Sequence, residues 1–544
     1  MNSIKRRSIG AVLLLLVAAL WAGGALAEER YQPADAIGPW SDESFHMAGN
    51  VSDVQKLVKS IVESPLLALD PSSQEGIQAL SAVNAMYPVE GFAFGVGMQK
   101  SVLRLQLAVS VGPARADLLS RIAKGAMISE DLELLTQFGV PVEGPLSLED
   151  GTTAYRVPLE GTPFALHFAA QGNLFLLGFR PEDLQESVAA LKDPAQRFAP
   201  QRHFPDSPNY FLFRDNGLLQ IALMAAEVPY LLRDNVLMEF SCAVKENQWS
   251  LGIFTNLARA LFSPKALEAF KSLSSPLPLL GGGKVLGAFH FSEDYDHLKS
   301  VLQNNPDEEV RDGFEEFLQG VQEMGLSEET LKSLLTGSVG AVLGGTASFA
   351  SAPLPGAYLV FEGQGDGAKT VADLLVKTLQ AQEMPLAPVT IPGWDAVYGM
   401  PLPVTLTIAH RGSTLLVGLL DANQLATPAE GSPRLQELQG DASLYNYLYI
   451  DNEALQKELL TFLKGADIWR SILEDGMDEV GAAIVQAHAF IATVQDLVVK
   501  CSGLEKGSID LNFFAPDGAQ EAEWEKMKGS WGAPQGEEPK PASN

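Results

Sequence analysis

Cysteine is nearly missing from this chain: Cys242 and Cys501 are the two among 544 residues. They form no CxxC pair and have no nearby His, so zinc-ribbon and thioredoxin-type chemistry are not expected. Basic residues are also scarce, with 38 Lys and Arg against 67 Asp and Glu and a formal charge of −29. Such a surface repels nucleic acid and anionic headgroups at long range, so no nucleic-acid partner is expected. Beyond the N-terminus no apolar run reaches membrane-spanning length. The nearest, "LLQIALMAAEVPYLL", is broken by Glu227 and Pro229. The sequence has no GxSxG nucleophile elbow. Its one Gly-rich strand-to-helix turn, "FEGQGDGAKTVADLL", puts Ala368 between Gly367 and Lys369, which breaks the phosphate-loop spacing. Neither a cofactor nor a metal site is expected.

What is present begins with an export signal. Lys5, Arg6 and Arg7 precede the short apolar "AVLLLLVAALWAGG", and Ala25 to Ala27 supply small residues for cleavage. Cleavage near Ala27 leaves about 517 residues with a charge of −32. Ser8, Ile9 and Gly10 make a poor twin-arginine signal, so the general export route and a periplasmic or secreted location are expected. No Cys lies near the cleavage site for a lipid anchor. Hydrophobic residues make up 46% of the chain, enough to bury real cores.

Internal repeats come next. "SFHMAGN" has a counterpart in "GAFHFSED", which sets His46 against His290. "RADLLSRIAKG" matches "VADLLVKTL". "AYRVPLEGTPFALHFAAQGNLFLLGF" matches "AVYGMPLPVTLTIAHRGSTLLVGLL", with Gly172 and Gly178 on Gly412 and Gly418. "NYFLFRDN" matches "NYLYIDN", and the segments holding Cys242 and Cys501 close each copy. Five blocks in one order argue for a duplicated chain.

Each copy reads as a strand, an amphipathic helix with Val54, Leu57, Val58, Ile61 and Val62 on one face, and a second helix. Two strands, the ADLL helix and three strands around a Gly-marked turn follow. A Pro181-led short helix, another strand, an apolar helix and a hairpin end the copy. The expectation is an α+β tandem duplication, each copy a largely antiparallel sheet with helices on one face. The expected boundaries are a signal at 1–27, repeats at 28–255 and 284–516 around a junction at 256–283, and a polar, disordered tail at 517–544. Between the "DN" strand and the cysteine strand the second copy carries an insertion long enough for two more helices.

"PADA" at Pro33 to Ala36, then "LFLLGFRPEDLQESVAAL" and "NYFLFRDNGLL", resembles a bacterial family, domain of unknown function 3352. Its opening strand usually follows the Pro-Ala-Asp stretch directly, whereas "IGPWSDE" intervenes here. The resemblance implies an exported protein and carries over no catalytic residues.

On its strand Cys242 shares the apolar face with Met238, Phe240 and Val244, while Glu239, Ser241 and Lys245 share the other, which predicts a buried, inert thiol. The alternative is a Cys242–Cys501 disulfide, which an oxidising compartment permits. The histidines lack convergent partners, and His488 in "IVQAHAFIATV" reads as a core residue. The expected function is non-catalytic binding or scaffolding in the cell envelope, with a protein or an apolar ligand as partner. One alternative is a carrier of an apolar ligand such as a lipid, with a cavity under the helices near 217–232 and 453–495. A second is an enzyme with its site at the interface of the repeats.

Overall fold

The computed structural model describes residues 30–40, 45–62, 89–99, 102–112, 116–128, 141–159, 162, 164–215, 217, 220, 224, 235–245, 248–257, 259, 279–280, 283–304, 308–349, 352–400, 405–441, 443–473, 481–488, 492–503, 505–514 and 518–531. The fold is mixed α/β and dominated by antiparallel sheet. It divides into two compact units: Met1–Glu246 with Ser250–Leu261, and Asn247–Trp249 with Phe262–Asn544. The expected export signal, the expected second helix of the first repeat, nearly all of the apolar run at 218–232 and most of the expected junction lie outside the described residues.

The first unit contains β1 (Phe45–Val51), β2 (Val89–Gln99), β3 (Val102–Val111), β4 (Glu143–Ser147), β5 (Thr153–Pro158), β6 (Ala165–Gln171), β7 (Leu174–Gly178), β8 (Asn209–Asp215), β9 (Val236–Lys245) and β10 (Gln248–Thr255). Its strand order is β4-β5-β6-β7-β3-β2-β1-β8-β9, antiparallel throughout, with β10 beside β9. Helices α1 (Val54–Val62), α2 (Ala116–Ala123) and α3 (Pro181–Lys192) accompany it.

The expectation of helices on one face is corrected here. Phe175 and Leu177 of β7 pack with Leu118, Leu119 and Ile122 of α2. Their neighbours Leu174 and Leu176 pack with Leu184, Val188 and Leu191 of α3 on the opposite face. Every residue of β7 is buried, as "LFLLG" allows: a strand covered on both sides needs a continuous apolar run rather than an alternating one. Burying each of these Leu and Phe side chains stabilises the fold by about 1.5–3 kcal/mol. α3 starts where Pro181 fixes the first helical residue, and the Asp183 carboxylate accepts the Arg180 backbone N–H at 3.1 Å.

The second unit contains β11 (Gly283–Glu293), β12 (Gly337–Phe349), β13 (Ala352–Glu362), β14 (Ala387–Pro388), β15 (Ala396–Met400), β16 (Leu406–Arg411), β17 (Thr414–Leu419), β18 (Ala429–Glu430), β19 (Asn446–Asp451), β20 (Val494–Ser502) and β21 (Lys506–Phe513). Its order is β14-β15-β16-β17-β13-β12-β11-β19-β20-β21, again antiparallel; the short β18 lies parallel to the start of β11. Helices α4 (Tyr295–Gln303), α5 (Glu308–Glu323) and α6 (Glu328–Leu335) precede β12. α7 (Gly367–Ala381) packs Val371, Ala372 and Val376 on one face of the sheet, against Ile408 and Leu415. α8 (Pro433–Gly440) packs Leu435 and Leu438 on the other, against Ala409, Leu416 and Tyr449.

The inserted segment forms α9 (Asn452–Leu473) and a helical stretch at 481–488. The polar tail departs from the expected disorder. Gly518–Trp531 is a helix, α10, whose Trp524 and Trp531 are buried against Leu460, Leu463 and Val485. Two tryptophans provide anchoring area that the average polarity of the tail conceals. Gly481 makes room for this packing, since a Cβ there would overlap the Trp531 ring.

The ladders also fix which positions correspond. Gly172 and Gly412 occupy the same tight turn, at φ of 56° and 55°. From there one row of the first sheet runs Gly178, Gln106, Gly95, Ala48, Leu212, Glu239. The matching row of the second runs Gly418, Tyr358, Val342, Ala288, Tyr449, Val498. Three residues along, Asn209 faces Cys242 and Asn446 faces Cys501, so the cysteines hold the same place in each sheet. The pairing of His46 with His290 does not survive this register. Ala48 corresponds to Ala288, which puts His290 at the position of Asn50.

Candidate functional site

The second sheet carries a pocket of about 590 Å³ on the face that α7 covers. Its floor follows from the register. One row of outward side chains runs Leu419, Ala357, Leu343, Gly287, Ile450, with Leu406 beyond Leu419. A second row, two residues along each strand, runs Val417, Leu359, Ala341, Phe289, Leu448. Between them Gly418, Tyr358, Val342, Ala288 and Tyr449 present backbone, because alternate strand residues face opposite sides. Gly287, Ala341 and Ala357 are the small members of these rows and lower the middle of the floor.

One helix meets the pocket directly, through Leu455 of α9. The start of α9 is fixed at this point. The Asp451 carboxylate accepts the Ala454 backbone N–H at 3.0 Å, and the Asn452 side-chain amide donates to the Val494 carbonyl at 2.5 Å. At its far end α9 packs through Leu460 and Leu463 on Trp524 and Trp531, and Lys464 pairs with Glu523. His488 stacks on Trp524 with ring centroids 3.7 Å apart, and burial holds its imidazole down at about 4.

Among the described residues the lining offers no side-chain nucleophile, acid or base to a reactant. Its two tyrosines send their hydroxyls to the opposite face. Tyr358 donates to the Leu280 carbonyl, and Ser432 donates to the Tyr449 hydroxyl at 2.6 Å. Burial pushes the Tyr449 phenol up to about 12 and the Tyr358 phenol higher still, so both are neutral donors and acceptors at physiological pH. The cavity is not enclosed: Phe289, Leu359 and Leu419 are 45%, 47% and 40% exposed. The sequence pointed to the α9 region but missed the floor. Gly287, Ala341 and Ala357 lie singly on three strands, so they stand out only once the two sheets are aligned strand by strand.

The other candidates do not form a second site. Both cysteines are free thiols and half-buried rather than buried, with pKa values raised by desolvation. The face reading of β9 is corrected: Glu239 and Ser241 are buried, and Phe240 is 40% exposed. Arg202 reverses the expectation by following the carboxylate inward. Its Nε donates to Glu239 at 2.7 Å, and the His203 backbone N–H donates to the same carboxylate at 2.7 Å. A second buried charge, Arg104, lies 3.4 Å from Asp183, pairs with Glu186 and sits 4.8 Å over the Trp40 ring. These charges neutralise one another inside the first unit. His46 is buried and stacked on Trp40, and His290 is hydrogen-bonded to Ser338 at 3.1 Å. Among the described residues no three His, Cys, Asp or Glu converge as a metal site, and no helix is long and apolar enough to cross a membrane.

No family model matches this chain, and no curated protein matches it. Two solved structures are similar to part of it, crystal forms III and I of TP0453. They are 10% and 11% identical, over 46% and 47% of this chain and 90% of theirs, with TM-scores of 0.24 and 0.23. Likeness at that level carries no argument about fold or function.

Proposed function

We propose that this is an exported, non-catalytic binding protein that carries an apolar ligand in the pocket of its second unit. The observation that supports the reading is a cavity of about 590 Å³ whose described lining is hydrocarbon, with no side-chain hydrogen-bonding group among the described residues aimed into it. Pockets of 300–1,000 Å³ are the usual size for small ligands. A site without donors, acceptors or ionisable groups binds and releases but does not react. Tandem duplication accounts for the shared strand order and for the matched cysteines. In this reading one copy kept a filled sheet face while the other opened it. The acidic surface keeps such a carrier soluble and away from anionic headgroups until it docks.

Native mass spectrometry of the protein purified from the periplasm tests this. A mass excess that disappears on denaturation supports the carrier. A bare chain that also fails to take up added apolar compounds overturns it. The denatured mass also decides the thiols, since a disulfide removes about 2 Da.

A further inference from the structure

We infer that the pocket is shaped for one extended, unbranched hydrocarbon chain laid across the strands, the tail of a single-chain amphiphile. This rests on the apolar-ligand reading above and narrows it.

Shape carries the inference. The lining comes from six neighbouring strands, β16, β17, β13, β12, β11 and β19. Five spacings of about 4.8 Å make the pocket about 24 Å long. Along the strands it extends over two outward rows, about 7 Å apart. The channel between those rows has a backbone floor and is one side-chain row wide. A fused-ring compound does not fill its length, and a two-chain lipid needs a second channel. At the β16 end Leu406, with Val417 of the adjoining β17, also packs against the cluster under α7, which borders the channel there. At the β19 end Leu455 borders it. Between the ends, the exposed Phe289 and Leu359 leave a route for a polar group to reach water.

Chemistry agrees with shape. Among the described residues no side-chain donor or charge faces the channel, so they do not recognise the polar end of the ligand there. The first unit provides the internal control. At the positions of Gly287, Ala341 and Ala357 it has Met47, Phe94 and Leu105. There the Phe94 ring lies over Gly49, which holds the place of Phe289, so the aromatic side chain sits on the neighbouring strand, while Met47 and Leu105 add volume where the second unit has Gly287 and Ala357.

The test is calorimetric titration of the full chain, after removal of co-purified ligand, with saturated fatty alcohols and fatty acids of about 8 to 20 carbons below their micelle concentrations. Affinity is expected to rise about fourfold per added methylene. It should level off near about 18 carbons, the chain that spans about 24 Å. Alcohol and acid of equal length should agree within about threefold, because the channel reads no headgroup. Gly287→Met introduces the first unit's side chain on the fifth strand. It leaves about 14 Å of channel and should move the plateau to about 10 carbons. Ala341→Phe, nearer the middle, should weaken long chains at least tenfold, and melting curves establish that both variants fold. Tighter binding by a sterol than by any chain, or an unchanged plateau in Gly287→Met, would overturn the single-chain inference and leave the carrier standing. Failure of every apolar probe to bind the stripped protein would overturn both.

Discussion

Where the first unit places Met47, Phe94 and Leu105, the second places Gly287, Ala341 and Ala357, on the same strands and at the same register. The opposite faces differ in the reverse sense. Gln106 and Glu239 of the first unit stand where the second has Tyr358 and Val498. One sheet is therefore aromatic on its α2 face and holds buried charge on the other. Its counterpart has a hydrocarbon core under α8 and a hollow beside α7. The hydrogen-bonded frame tolerates both because ladder bonds depend on backbone, while filling depends on side-chain volume. The hollow reflects volume redistributed over these rows, smaller at Gly287, Ala341 and Ala357 and larger at Phe289, which holds the place of Gly49.

The largest expected effect comes from exchanging the buried polar position. Glu239→Val strands Arg202 without its carboxylate and should cost the first unit about 3–5 kcal/mol. The reverse change, Val498→Glu, buries an unpaired carboxylate in the second unit and should cost as much. Separate melting transitions, or hydrogen exchange resolved by unit, assign each loss. If Glu239→Val leaves stability unchanged, the buried pair is not what distinguishes the first core.

Next comes the filled channel. Phe94→Ala should cost about 3–5 kcal/mol and open a void beside Gly49. If the volume argument holds, this variant also gains uptake of an apolar chain in the first unit. Calorimetry with long chains in an Ala341→Phe background, whose own pocket holds them at least tenfold more weakly, shows whether it does.

Trp524→Ala is expected to cost about 3 kcal/mol, confined to the helical layer of the second unit. Amides of α9 and α10 should lose exchange protection while those of β12 and β13 keep theirs. Loss of protection in the sheet as well would mean that α9 is integral to the core rather than a separable border of the pocket.

A smaller effect follows pH. His488 is held down to about 4 by burial, with Lys528 adding to the shift and Glu525 opposing it. An imidazole whose folded pKa lies below the unfolded value of about 6.5 contributes its full stability above that value. The contribution falls as pH drops from about 6.5 to 4, by about 1–3 kcal/mol in total. His488→Gln should flatten the acid side of the profile for α9 protection.

The smallest effect concerns the cysteines. Burial raises both thiols. Each should react with a thiol reagent more slowly than a free cysteine at pH 8, and the two rates should agree. A rate difference above about tenfold would break the equivalence of the two positions.

Much of the frame was legible in the sequence. The Gly172 and Gly412 turns, the Pro181 helix start, the hairpins that hold the cysteines and the inserted helices all have local causes: a left-handed backbone, a fixed φ, alternation of side chains. Three readings failed because their causes are not local. Glu239 looked solvent-facing because its partner Arg202 is 37 residues away. The tail looked disordered because Trp524 and Trp531 find Leu463 only in space. His46 was set against His290 by a similar word, whereas hydrogen-bond register assigns His290 to the place of Asn50.

By itself the sequence determined the periods, turns and repeated order of the strands, because backbone conformation and side-chain alternation are set within a few residues. Only the tertiary structure decided which alternate face is buried, and it brought Gly287, Ala341 and Ala357 side by side from positions as much as 70 residues apart. Volume left empty belongs to no single segment, so the pocket exists only once six strands are in register.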